Sequence, residues 1–116
     1  DPQGNSMGGW GLMLKPRDMA RFGYLYIKGG QWEGEQIISK EWIDDSITAH
    51  TPEYGYQGWL RDVKGVFVFS AVGQGGNHIF CIPQEDLVVV IASRLGSRWQ
   101  DRWLLLEQFI LPAVLE

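Results

Sequence analysis

Only one cysteine, Cys81, and two histidines, His50 and His78, occur among these 116 residues. A lone thiol excludes an internal disulfide and a cysteine metal quartet. Neither histidine has an H-x-x-x-H or H-x-E companion, so the spacing of a metal site is missing and no metal is expected. No apolar run is long enough to span a bilayer. Basic residues are few and scattered: ten Lys/Arg against fourteen Asp/Glu give a net charge of −4, and Arg94, Arg98 and Arg102 form no cluster. A nucleic-acid partner is therefore excluded. Nucleophile motifs are absent too. No G-x-S-x-G elbow occurs, and none of Ser6, Ser39, Ser46, Ser70, Ser93 or Ser97 has a lysine three positions on. Y-x-N and S-x-N are also missing, so no residue reads as an activated nucleophile on local evidence. The stretch GQGGN matches neither G-x-G-x-x-G nor a P-loop and precedes a strand, so it offers no helix N-terminus to a phosphate. No cofactor is expected.

What is present describes a globular domain. The composition is 45% hydrophobic and 21% charged, within the ordinary range. The length suits a single domain over residues 1–116, which buries roughly two-thirds of its unfolded surface. Six Trp, four Tyr and five Phe predict a large aromatic core, an aromatic pocket or a surface meant to be covered. The opening DPQGNSMGGWG is polar and glycine-rich and reads as the interior of a longer polypeptide.

Hydrophobic periodicity predicts a first helix over 17–28. Pro16 stands at its start, Asp18 in its first turn, and Gly29-Gly30 at its stop. Ser39 caps a second helix over 39–48, and His50 closes it as a cation suited to the dipole. The period then changes to two. YGYQGWLR, GVFVFSAV, NHIFCI and LVVVIAS read as four strands, with PQED as a turn. Short links make them antiparallel neighbours. The last is apolar on both faces, as a central, doubly covered strand is. From 99 to 114 the helical period returns, with Trp99, Trp103, Leu106, Ile110 and Ala113 on one stripe. The predicted class is α+β: an antiparallel sheet of three to four strands, two N-terminal helices and a C-terminal helix. Three helices, two of them adjacent, leave one sheet face short of cover. Cys81 is expected to be a small buried side chain, and His78 a half-exposed strand residue or part of a pocket rim. The pairs Asp44-Asp45 and Glu85-Asp86 read as solvated.

The three glycines Gly73, Gly75 and Gly76 fall within four residues between two strands. Glycine permits positive φ or the close approach of another group, so the stretch is either a plain turn or a backbone against which a ligand rests.

Three segments stand out together: GGWGLMLKPRDMARFGYLYIKGGQWEGEQIISKEWIDDS, YGYQGWL and SAVGQGGNHIFCIPQEDLVVVIAS. Together they resemble the serine β-lactamase and penicillin-binding-protein superfamily, in its class C β-lactamase-like branch of esterases, D-aminopeptidases and aminohexanoate-oligomer hydrolases. The resemblance implies the C-terminal part of such a fold, whose S-x-x-K and tyrosine motifs lie upstream. It places the third motif on Ala71, Val72 and Gly73; a register three residues on, at Gln74, Gly75 and Gly76, is the alternative. Gln74 then donates its backbone N–H to an oxyanion hole, with Gly75, Gly76, Asn77 and His78 beside a bound amide or ester. Ala71 and Val72 lack the polar groups that hold a β-lactam carboxylate, which points to amide or ester hydrolysis. The resemblance further implies a partner in the missing N-terminal part, no activity in this chain alone, and a bacterial cytoplasmic or periplasmic setting. It also leaves one side of the strand from Leu87 to Ser93 unpaired, a candidate homodimer edge. A non-catalytic binding or structural module of the same fold is the other reading, and an upstream S-x-x-K distinguishes the two.

Overall fold

In the computed structural model, the residues described are 2–94 and 101–115. The predicted start of the last helix at Trp99 lies outside them. The class is α+β, as the periodicity indicated. Helix α1 spans Pro16–Ile27, with Pro16 opening it, and it ends where Gly29 and Gly30 take positive φ. A two-residue hairpin follows, β1 (Gln31–Trp32) and β2 (Glu35–Gln36), turned by Glu33 and Gly34 at positive φ. Helix α2 spans Lys40–Ser46, and the Ser39 hydroxyl accepts from the Trp42 amide at 3.2 Å. His50 Nε2 lies 2.8 Å from the Asp45 carbonyl in the last turn of that helix.

The main sheet is a meander, β3 (Trp59–Val63), β4 (Val66–Gly73), β5 (Asn77–Ile82) and β6 (Leu87–Ile91), in the spatial order of the chain and antiparallel throughout. One face carries Val63, Val66, Val68, Phe80 and Ile82 against Trp103, Leu106 and Leu111 of the C-terminal helix. The other carries Leu60, Phe69, Ile79 and Cys81 against Met19, Tyr26 and Ile27 of α1. Each face thus carries a helix, and Trp59 and Val72, at the end of the Trp103 face, stay exposed. A shortfall sits at an edge as well: all five residues of β6 are only half-buried. Its apolar run suggested a central strand, but with β5 on one side and no strand on the other among the described residues it is the edge of the sheet.

Two further corrections have physical causes. The alternation of YGYQGWLR suggested a strand from 54, yet ladder pairing begins at Trp59. The chain bends before it, with Gly55 N–H donating to Gly58 O at 2.9 Å and Gln57 at positive φ. Gly58 is required there because a Cβ would sit 1.9 Å from the Phe69 ring. The C-terminal helix is not uniform either. Arg102–Leu105 (α3) and Leu111–Leu115 (α4) flank a π-helical turn, Leu106–Ile110. Pro112 has no N–H to donate and its ring crowds the preceding turn, and the wider turn accommodates it. The added residue advances the phase, so Leu111 is buried while Ala113, expected on the stripe, is exposed.

Helix α1 lies close to the sheet because Gly23 has no side chain. A Cβ there would meet Val88 Cγ1 at 2.7 Å, Ile79 Cγ2 at 2.8 Å and Cys81 Sγ at 3.1 Å. Gly23→Ala is expected to destabilise the fold by about 1–3 kcal/mol through overpacking, despite a helix-propensity gain of about 1 kcal/mol. Urea unfolding monitored by circular dichroism checks this, and a stabilised variant contradicts it.

Candidate functional site

The β4–β5 hairpin carries the glycine-rich stretch. Gly73 pairs with Asn77, so Gln74, Gly75 and Gly76 form a three-residue loop, with Gly75 and Gly76 both at φ +85°. The positive φ accounts for two of the three glycines: Gly75 and Gly76 turn the loop, while Gly73 ends β4. Asn77 locks it from within, donating from Nδ2 to the Gln74 carbonyl at 2.7 Å. Beyond β6, Ser93 holds it from outside. Its amide donates to Asn77 Oδ1 at 2.9 Å, and its hydroxyl donates to the Gly75 carbonyl. Val72, Gly73 and Gln74 are exposed at the end of the hairpin, Ala71 and Asn77 are half-buried, and Gly76 is buried.

Next to this loop lies a cleft of about 420 Å³, lined by Trp59, Arg61, Val72, His78, Asp101 and Trp103. Of the residues singled out in the sequence, Val72 and His78 line it. Ala71, Gly73, Gln74, Gly75, Gly76 and Asn77 do not. Strand alternation explains the division. Ser70 and Val72 on β4 share a face with His78 and Phe80 on β5, because Val72 pairs with His78 and Ser70 with Phe80.

His78 is 1% exposed, which corrects the half-exposed expectation. Its ring stacks on Phe80 at 4.8 Å and meets Trp103 edge-on at 6.5 Å. Its Nδ1 lies 3.3 Å from the hydroxyl of Ser70, itself fully buried, and its Nε2 has no partner among the described residues. Burial, followed by the neighbouring Arg102 charge and partly offset by Asp101, lowers its pKa to about 4. The imidazole is therefore neutral at pH 7. A buried Ser–His pair suggests a nucleophile and base, but Ser70 does not line the cleft, and no carboxylate among the described residues orients the ring through Nε2. Burial alone pushes the Cys81 thiol up to about 12, so it is an inert core residue, as expected.

Sequence reading did not identify Trp59, Arg61, Asp101 and Trp103 as cleft residues. The available signal was register: Trp59 pairs with Ser70 and Arg61 with Val68, which brings them to the Val72–His78 face. No group of three or more His, Cys, Asp or Glu able to hold a metal occurs among the described residues.

No family model matches the chain. It is similar to the 6-aminohexanoate-dimer hydrolase of Paenarthrobacter ureafaciens, a β-lactamase-fold protein, at 28% identity over 116 positions. That match covers 87% of this chain and 28% of the relative, so the chain spans just over a quarter of the length of the hydrolase it resembles.

The His78 geometry sets a pH dependence. Its pKa is lower in the folded chain than in the unfolded one, where it is about 6.5. The unfolded state therefore binds more protons between these values. This contribution is fully present above about pH 6.5 and is lost as pH falls towards 4. Between pH 7 and 5 the wild type should lose about 2 kcal/mol that His78→Phe does not lose. Parallel denaturation curves give the difference, and identical pH slopes contradict the assignment.

Proposed function

We propose that the chain is the C-terminal part of a β-lactamase-like serine hydrolase that cleaves an amide or ester through an acyl-enzyme. It supplies the oxyanion strand and no nucleophile. The observation that carries this reading is the distant likeness to a β-lactamase-fold hydrolase, matched over little more than a quarter of that protein. The exposed surface supports it. Every residue from 2 to 17 is exposed, including Trp10 at 72%, Leu12 at 76% and Met13 at 91%. Apolar surface of this kind is usually covered by another part of a fold.

In this reading the end of β4 at Ala71, Val72 and Gly73 is the strand along which substrate lies, and the Gln74 N–H is one oxyanion donor. Its exposed place at the hairpin turn is compatible with that role. One such donor is worth about 3–4 kcal/mol in the transition state. Gly75, Gly76 and Asn77 hold the turn, and His78 backs it. The nucleophile, its lysine and the second donor belong to the missing N-terminal part, whose substrate is a small-molecule amide or ester. The same reading leaves β6 without a neighbour, and its β-branched run then pairs with the same edge of a second copy.

Two measurements test these statements. The chain alone, incubated with a fluorophosphonate probe and an activated ester, is expected to show neither serine labelling nor turnover. Stoichiometric labelling of any serine overturns the assignment of the nucleophile to another part. Light scattering at low micromolar concentration is expected to give a dimer, which Val89→Lys weakens by placing a charge on the edge. A monomeric wild type rules out the edge pairing.

A further inference from the structure

The cleft beside the hairpin has a donor-rich wall that nothing in the described chain satisfies. Arg61 Nε, His78 Nε2 and Arg102 Nε are buried without hydrogen-bond partners, the only such side-chain atoms among the described residues. Buried polar atoms are seldom left unpaired, so three gathered together require an explanation. They come from β3, β5 and the start of α3; Arg61 and His78 converge on the Trp103 indole, and Arg102 Nε lies beside Gly76, 3.4 Å from where a Cβ there would sit. The Arg61 guanidinium carbon stands 4.5 Å from the Trp103 ring centre, the His78 ring meets that indole edge-on, and Arg102 precedes it in the chain. Arg61 and His78 both line the cleft.

Charge is unbalanced in the same sense. Neither Arg61 nor Arg102 forms an ion pair among the described residues. The one acid on the cleft, Asp101, uses Oδ1 to accept from the Trp103 amide at 2.9 Å. Two guanidiniums against one carboxylate leave one positive charge. The Ser70 hydroxyl lies 3.3 Å from His78 Nδ1 and 3.4 Å from the Ala71 carbonyl; in the tautomer in which the hydroxyl donates to Nδ1, the neutral ring carries its proton on Nε2, which makes it a third donor. The rest of the wall is apolar and open, with Trp59 43% and Val72 42% exposed.

We propose that this cleft binds a small carboxylate with an apolar body. Arg61 Nε–H and His78 Nε2–H receive the carboxylate, Arg102 supplies charge behind it, and Trp59, Val72 and Trp103 hold the body. Water can meet the donors but cannot balance the charge. The carboxylate is either a free molecule or an acidic side chain from elsewhere in the protein, and the experiment separates the two. The inference goes beyond the hydrolase reading and does not depend on it.

Benzoate is the probe and benzamide its neutral counterpart, titrated into the full-length protein by calorimetry. NMR follows exchange of the arginine Nε–H protons. A free-ligand site gives saturable 1:1 benzoate binding, with benzamide about tenfold weaker or more. Arg61→Gln and His78→Gln should each weaken benzoate about tenfold and leave benzamide unchanged. Either variant suffices if the other fails to fold. An internal carboxylate gives no benzoate binding but slowly exchanging Nε–H protons on Arg61 and Arg102 in the free protein. Equal affinity for benzoate and benzamide overturns the proposal. So does an absence of binding with Nε–H protons that exchange at the solvent rate.

Discussion

The Trp103 indole joins the C-terminal helix to the sheet, and the candidate site depends on that junction. Phe80 meets it at 5.0 Å and a 74° interplanar angle, His78 edge-on, and Arg61 over its face. An aromatic ring that contacts a strand residue, a helix start and a cation at once fixes the distances among all three. It also dries the surroundings of His78, and that drying is the main reason the imidazole stays neutral.

The opposite face depends on a missing side chain. Gly23 lets α1 approach β5 and β6 until its backbone carbonyl accepts from the Cys81 thiol at 3.6 Å. Tyr26 stacks on Phe69 at 5.1 Å farther along the same face. At the far end of the helix, Lys28 reaches Asp86 in the β5–β6 turn at 2.7 Å. Both side chains are well exposed, so this pair sets direction more than stability. Strand β5 is thus held between Gly23 on one side and Trp103 on the other, and Phe80, Cys81 and Ile82 in its second half are almost wholly buried.

Much of this was legible in the residues. Pro16 and Gly29-Gly30 bracket α1, Ser39 caps α2, and the β-branched runs mark β4, β5 and β6, because each signal acts within a few residues of itself. The features that were not legible depend on something distant. The Trp59 start of β3 depends on the Phe69 ring, which needs Gly58 bare. The phase of the last helix depends on Pro112 acting back through the preceding turn. The burial of His78 depends on Trp103, 25 positions away. The cleft combines all three kinds of distance, so only two of its six residues stood out in the sequence.

The hold of Ser93 on the hairpin has a mechanical consequence. Its amide and hydroxyl attach the Asn77 side chain and the Gly75 carbonyl to the chain just beyond β6. The hairpin end cannot swing outward without pulling on that segment, so the flexibility its glycines would give in isolation has already been removed. The loop therefore behaves as a stiff bracket, and a molecule resting against it meets a surface whose ordering cost was met when the chain folded.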